Sequence, residues 1–232
     1  NVSSGKDNPI AYYLRTQGYD FREFDLDVSA NPSSGLNGNG HIYDINANGI
    51  VLDTIQLNLF QDTTGVQMVG RVRNGPKNKQ FVFDSKVNAY LHATGAGVNF
   101  KYLDDKGITG VDFGLCAEMS DSGLNVAFSP IDPIIAYRKF QINKDNYLFL
   151  GSDKKVKADI DMLADDGTGA KIYSTPNEEA LQDITVSLLR LNLGELTSVI
   201  PYAPNITGFL NGDAHLIQTP TDLSVVVDMY AN

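Results

Sequence analysis

The chain has 232 residues, with 28 Asp and Glu against 18 Lys and Arg, for a formal net charge of −10. Such a surface repels phosphate backbones, which argues against nucleic acid as a partner. Hydrophobic residues make up 42% of the chain, enough for a sizeable core, yet no stretch is long and apolar enough to span a bilayer as a helix. The length suits one large β domain or two small ones. A lone cysteine, Cys116, leaves no intrachain disulfide and no Cys-based metal site. The chain opens Asn1-Val-Ser3 with no Met and no signal peptide. It reads as a piece of something longer, with any export signal or anchor outside it.

Residues 1–34 form a leading segment of uncertain pairing. They hold the apolar run Ile10-Ala-Tyr-Tyr-Leu14, partial alternation over Tyr19–Val28, and the turn Asn31-Pro-Ser-Ser-Gly35. Leu36-Asn-Gly-Asn-Gly-His-Ile42 then leads into a strand through Ile45. From there a rhythm takes over. Ile55-Gln-Leu57-Asn-Leu59, Phe81-Val-Phe83, Val98-Asn-Phe100-Lys-Tyr102, Val111-Asp-Phe113-Gly-Leu115, Leu124-Asn-Val126-Ala-Phe128 and Val156-Lys-Ala-Asp-Ile160-Asp-Met162 alternate apolar and polar residues. Alternation sends the two sets to opposite faces of a strand.

The turns between these stretches repeat one chemistry. Gln61–Gly65, Leu103–Gly107, Ser120–Gly123 and Asp165–Gly167 each set Asp where its side chain bonds the turn backbone and Gly where φ is positive. They lack the acidic series ending in a bidentate Glu that calcium loops need, so hairpin chemistry is the better reading. Four such signals flanked by alternation predict a meander of neighbouring antiparallel strands. Arg73–Lys79 is a wet loop, and Pro130 and Pro133 break the ladder. Phe140–Ile142, the turn Asn143–Asn146 and Tyr147–Leu150 predict a further hairpin.

The last third changes character. Ser174–Leu181 reads as a helical turn or a loop. Apolar parity switches between Asp183–Leu188 and Leu189, Leu191 and Leu193, which implies a bulge. Residues 194–200 have the spacing of a short amphipathic helix, with Leu193, Leu196, Val199 and Ile200 on one side and Pro201 ending it. Ile206–Ile217 and Leu223–Met229 predict two more strands. An internal echo links Leu36-Asn-Gly-Asn-Gly-His-Ile42 with Leu210-Asn-Gly-Asp-Ala-His-Leu216, as the opening strands of successive units in an array would.

Enzyme signatures are missing: there is no G-x-S-x-G, Walker A loop, H-E-x-x-H or Rossmann glycine set. His41, His92 and His215 carry no motif. Cys116 sits opposite Leu115 in parity with no base nearby in sequence, so it reads as a small strand residue. The pairs Asp104-Asp105, Asp165-Asp166 and Glu178-Glu179 read as solvated turn formers. A hydrolase built on a carboxylate pair is the weakest reading.

Several segments resemble the TamB family of Bacteroidetes-type bacteria. They are Asn143-Lys-Asp-Asn-Tyr-Leu-Phe-Leu-Gly-Ser-Asp-Lys-Lys-Val156, Ala164–Tyr173, Leu181–Leu188, and Leu196-Thr-Ser-Val-Ile-Pro-Tyr-Ala-Pro204 leading into Ile206–Asp213. The resemblance covers roughly residues 35–232 and is strongest from 140 on. It implies an internal piece of a long periplasmic envelope protein, anchored to the inner membrane through a segment outside this sequence. It also implies an elongated, taco-like sheet around an apolar groove, with a role in phospholipid transport and outer-membrane protein assembly. Its partners would be a phospholipid or other acyl-chain ligand and an outer-membrane assembly protein. No enzymatic activity, cofactor or metal is implied.

The expected fold is therefore an all-β antiparallel meander with one apolar concave face and a short helix near 194–200. Residues 35–193 form the groove segment, and 194–232 hold the helix and the start of the next unit. The expected groove lining is Leu57, Leu59, Phe81, Phe83, Val98, Phe100, Val111, Phe113, Val126, Phe128, Ile160 and Met162. The alternative is a closed β-sandwich, acting in adhesion or glycan binding, with these residues sealed in its core.

Overall fold

The computed structural model describes residues 1–5 and 7–231, apart from the side chain of Ile10. The fold is antiparallel β-sheet with two short helices. It comprises two units, Asn1–Ala93 with Val98–Thr109, and Thr94–Gly97 with the residues from Gly110 on. The division falls near residues 94–110.

The first unit holds β1 (Val2–Gly5), α1 (Pro9–Thr16), β2 (Tyr19–Asp20), β3 (Glu23–Asn31), β4 (Gly35–Ala47), β5 (Ile50–Gln61), β6 (Val66–Asn74), β7 (Phe83–His92) and most of β8 (Gly95–Leu103). The ladder runs β1–β3–β4–β5–β6–β7, antiparallel throughout, with β2 on the far end of β4. The leading segment is therefore paired: β1, β2 and β3 all join this sheet.

Turn chemistry sets the β5–β6 connection. The Asp62 carboxylate accepts the N–H groups of Thr64 at 2.7 Å and Gly65 at 3.1 Å. Gly65 has φ of 155°, and a Cβ there would meet the Leu91 carbonyl at 2.2 Å, so the position requires glycine. The loop after β6 is tied to β5 through amides. Buried Asn74 accepts the Asp53 N–H at 2.9 Å, and Asn78 donates to the Val51 carbonyl at 3.1 Å and Asp53 at 2.9 Å. The apolar run at 10–14 is helical, because Asn8 caps it by accepting the Ala11 N–H at 3.0 Å and Pro9 fits the first turn.

The second unit holds β9 (Thr109–Ser120, from Gly110), β10 (Gly123–Phe128), β11 (Ile134–Ile135), β12 (Arg138–Lys139), β13 (Gln141–Ile142), β14 (Tyr147–Gly151), β15 (Val156–Leu163), β16 (Gly169–Ser174), β17 (Gln182–Asn192), α2 (Leu193–Ser198), β18 (Phe209–Gln218) and β19 (Leu223–Ala231). β10 and β11 lie in line along β9, interrupted where residues 129–133 leave the ladder around the two prolines. The peptide before Pro130 is cis.

The hairpin expected at 140–150 does not form. β13 and β14 do not pair with each other; both pair with β15, at Met162–Leu163 and Val156–Asp159. They are two parts of one strand line, and the Asn143–Asn146 turn loops out between them. Asparagine side chains replace the missing ladder bonds: Asn143 accepts the Asp161 N–H at 2.9 Å, and buried Asn146 accepts the Phe128 N–H at 2.7 Å. An Asn-rich turn between apolar runs thus closes an excursion here, where two-strand logic predicts a hairpin.

From β14 the meander β15–β16–β17–β18–β19 is regular. Its register shifts between Leu188 and Leu191, at the parity switch, where Arg190 has φ of 50° and its N–H is taken by Asn211 at 2.8 Å. Asn192 caps α2 by accepting the Glu195 N–H at 3.2 Å. The helix ends at Ser198, two residues short of the expected end, and buries none of its residues. Its Thr197 carbonyl accepts the Ile200 N–H in a turn leading to Pro201. β19 pairs with β18 alone among the described residues, and every one of its residues is exposed.

Candidate functional site

Residues directly opposite in an antiparallel ladder share a face, so the register defines what each face carries. In the first unit Phe24, Leu26 and Val28 stand opposite Ile42, Gly40 and Gly38. These stand opposite Ile55, Leu57 and Leu59, then Val72, Gly70 and Met68, then Ser85, Val87 and Ala89. The other face carries Asp25, Asp27, Asn39, His41, Gln56, Asn58, Arg71, Lys86 and Asn88 by the same pairings. Arg71 and Asp84 form an ion pair on that polar side, which holds the Asp84 carboxyl below the usual carboxylate range.

The second unit repeats the division. Leu115, Ala117 and Met119 oppose Phe128, Val126 and Leu124; Val126 and Leu124 oppose Leu148 and Leu150, which oppose Ala158 and Val156. Further along, Ile160 and Met162 oppose Ile172 and Ala170, followed by Val186 and Leu188, Ala214 and Gly212, and Val227 and Met229. Glu118, Asn125, Lys157, Asp159, Lys171, Thr185, Asp213 and Asp228 lie on the reverse.

These apolar faces are partly uncovered: most of their residues are half-buried, and Val28, Leu57, Met119, Leu150, Val227 and Met229 are exposed. The chain exposes 14,218 Å², whereas a compact chain of its 25.3 kDa mass would expose about 10,300 Å². Even two separate compact bodies of half that mass would expose only about 12,400 Å², so division into two units does not by itself account for the excess. It is visible at single residues. Leu57, between Gly40 and Gly70, is 41% exposed, and Leu91 at the end of β7 is 60% exposed. Other places are sealed. Tyr102 and Phe83 stack at 6.0 Å and are buried, and Phe140, Ile142, Ala158 and Ile160 form a small buried cluster in the second unit.

The twelve expected lining residues divide evenly between the units. Leu57, Leu59 and Phe83 share the first apolar face. Val98 and Phe100 share the face of Tyr102, two residues apart along β8, and the Tyr102 ring stacks on Phe83; Val98 is 42% exposed. Phe81 precedes β7 and is off the ladder, because the 75–82 loop continues to Val82. Its ring still packs edge-on against Phe83 at 6.0 Å. Val111, Phe113, Val126, Phe128, Ile160 and Met162 share the second face, where Phe113 and Phe128 meet edge-to-face at 5.3 Å. Ile160 is 6% exposed, so it belongs to the sealed cluster and not to open floor.

Face residues beyond this set include Phe24, Leu26, Ile42, Met68, Leu148, Ile172 and Val186. Their signal is present but broken. Met68-Val-Gly-Arg-Val72 carries Val69 on the polar side, and Gly38, Gly40 and Gly70 are face positions without a side chain to reveal them.

Polar clusters have structural partners. Asp104 accepts the Lys106 and Ile108 N–H groups, and Asp166 accepts the Thr168 N–H, as the turn reading expects. Arg138 bridges Asp166 at 2.6 Å and Glu195 at 3.0 Å, and the Arg138 and Thr168 hydrogen bonds pull the Asp166 carboxyl down to about 2. The histidines of the echo occupy equivalent places. His41 lies 3.5 Å from Glu23, and His215 lies 2.8 Å from buried Asp183, each carboxylate coming from the preceding strand. Hydrogen bonds from Asn177, then His215, hold Asp183 below the usual range. Both echo segments lie inside sheets, in β4 and β18, and neither opens a unit. Cys116 is half-buried with Sγ 3.6 Å from the Ala127 carbonyl. No group of three or more His, Cys, Asp or Glu side chains converges as metal ligands among the described residues.

Comparison of this chain with known protein families, with characterised proteins and with solved structures finds no match.

Proposed function

We propose that this chain is a non-enzymatic segment of a TamB-like envelope protein, whose apolar sheet faces hold phospholipid acyl chains in the periplasm during lipid transport or outer-membrane protein assembly. One observation carries the reading: each unit segregates apolar from polar residues by register and leaves part of its apolar face open to solvent. Large apolar side chains left exposed along one face suit a greasy partner.

The dimensions suit an acyl chain. The five strands β3–β7, at about 4.8 Å spacing, present an apolar floor about 19 Å across. That matches about fifteen methylenes at about 1.27 Å each, from C–C bonds of about 1.5 Å. One-sided contact at half of about 0.8 kcal/mol per methylene gives about 6 kcal/mol, offset in part by ordering the chain. Affinity of that order permits both loading and release.

The test is extraction of labelled phospholipid from vesicles by the parent chain and by Phe113→Glu. The variant is expected to extract several-fold less while retaining its β-sheet circular dichroism. Equal extraction by both removes Phe113 from the lining. Extraction by neither, together with glycan-array binding, supports the adhesion alternative.

A further inference from the structure

α1 roofs one end of the first apolar face. Beneath it lies a cavity of about 710 Å³, whose apolar walls are Val2, Pro9, Leu14, Phe21, Phe24 and Ile42. Phe24 and Ile42 are direct cross-strand partners, and Ile42 opposes Ile55, so the floor of this chamber runs without a break into the open face. Ala11, 1% exposed, turns inward from the helix, while Tyr12 and Tyr13 face solvent.

Ser3, Ser4, Gly5 and Asn8 also line the cavity, and Asn8 is already used. Asn8 caps the helix through its Oδ1 and donates through its amide to Ser4 Oγ and the Gly5 carbonyl. A chamber this size has room for about twenty waters at ~30 Å³ each, and each needs two to four polar partners. These walls do not supply them, so an apolar guest is favoured. The volume falls in the range of about 300–1,000 Å³ typical of small-molecule sites.

We propose that this chamber seats the methyl end of a phospholipid acyl chain, with α1 as a partial roof over the chain terminus. The inference rests on the reading of the open face as an acyl-chain surface and locates one end of the bound chain. The tail of a phospholipid fits better than a free fatty acid. Arg15 and Arg22, next to wall residues Leu14 and Phe21, are each paired with an aspartate, Asp20 and Asp44, and the chain carries a net charge of −10. Either source would keep its polar head outside, but a net charge of −10 opposes the approach of a fatty-acid anion and not that of a zwitterionic phospholipid.

Site-specific photocrosslinking tests this on the full chain. A benzophenone amino acid replaces Phe24 in the chamber, Leu59 on the open face or Asn58 on the polar face. Each protein is irradiated with vesicles of tail-labelled phosphatidylethanolamine and phosphatidylglycerol, and separately with labelled palmitate. Phospholipid adducts at Phe24 and Leu59 but not Asn58 are expected. Adding Leu14→Trp, which fills the chamber from the helix side, is expected to lower the Phe24 adduct at least fivefold and leave the Leu59 adduct unchanged. An adduct at Leu59 alone overturns the chamber and leaves the open-face reading standing. An adduct at Phe24 alone keeps the chamber and overturns the open face as a lipid surface. Adducts at neither position overturn both. Palmitate labelling Phe24 where phospholipid does not overturns the phospholipid assignment.

Discussion

Replacing Leu57 with Glu isolates the contribution of the open face. Leu57 projects between Gly40 and Gly70, and 41% of it is exposed, so a little over half is covered by protein. Complete burial of a leucine is worth about 1.5–3 kcal/mol, so the folding cost of Leu57→Glu is about 1–2 kcal/mol. A carboxylate at this point also strips apolar contact from about three methylenes of a bound chain. At the one-sided value of about 0.4 kcal/mol each that is about 1.2 kcal/mol, or roughly eightfold in Kd. The assay is a fluorescence titration with a phospholipid carrying a dye-labelled tail, run beside urea denaturation of the same samples. Asn58→Glu is the control, because it adds the same charge one residue away on the polar face. The account expects Asn58→Glu to bind like the parent. Binding by Leu57→Glu within twofold of the parent, or an equal loss in Asn58→Glu, would refute the facial assignment.

Asn146→Ala removes the acceptor of the Phe128 N–H and the donor to the Asn143 carbonyl at a buried position. It is expected to cost about 2–3 kcal/mol, visible as a lower urea midpoint with an unchanged m-value. Asp166 is held at about 2 in the folded chain against an ordinary 3.8. Its contribution is complete above pH 3.8 and disappears as pH falls toward 2, so Asp166→Asn should flatten the acid limb of a stability–pH profile in that window and leave neutral pH behaviour similar in slope. The long apolar edge β19 exposes Val225, Val226, Val227 and Met229. Sedimentation velocity is expected to show concentration-dependent association of the parent that Val226→Lys suppresses, since an edge lysine opposes strand addition. Identical sedimentation of the two proteins at all concentrations would remove β19 as the associating edge.

The meander was legible where two local signals agreed. Alternation at Ile55–Leu59 and Leu124–Phe128, joined by Asp/Gly turns such as 61–65, yields neighbouring strands because a period of two and a tight turn leave little else. The parity switch before Leu189 likewise appears as a shift in register at Arg190. Legibility failed where a long-range partner decided the outcome. Asn143–Asn146 has hairpin composition, yet its flanking strands both join β15, a choice set by Asp161 and Phe128 bonding the two asparagines. Phe81 alternates with Phe83 in sequence but lies outside the ladder because Asn78 accepts the backbone N–H groups of Gln80 and Phe81. The shared face of the lining residues followed from parity alone. Which of them are sealed, as Phe83 and Ile160 are, depended on Tyr102 and on the 129–146 excursion, neither of which parity encodes.

Methyl-resolved NMR with a spin-labelled phospholipid tests most directly whether lipid meets one face of the sheets. The account predicts strong paramagnetic broadening at Leu59, Val87, Val126 and Leu148 on the apolar faces, with Val69 and Ile217 on the polar faces spared. Broadening of both sets alike, or of neither at saturating lipid, would contradict it.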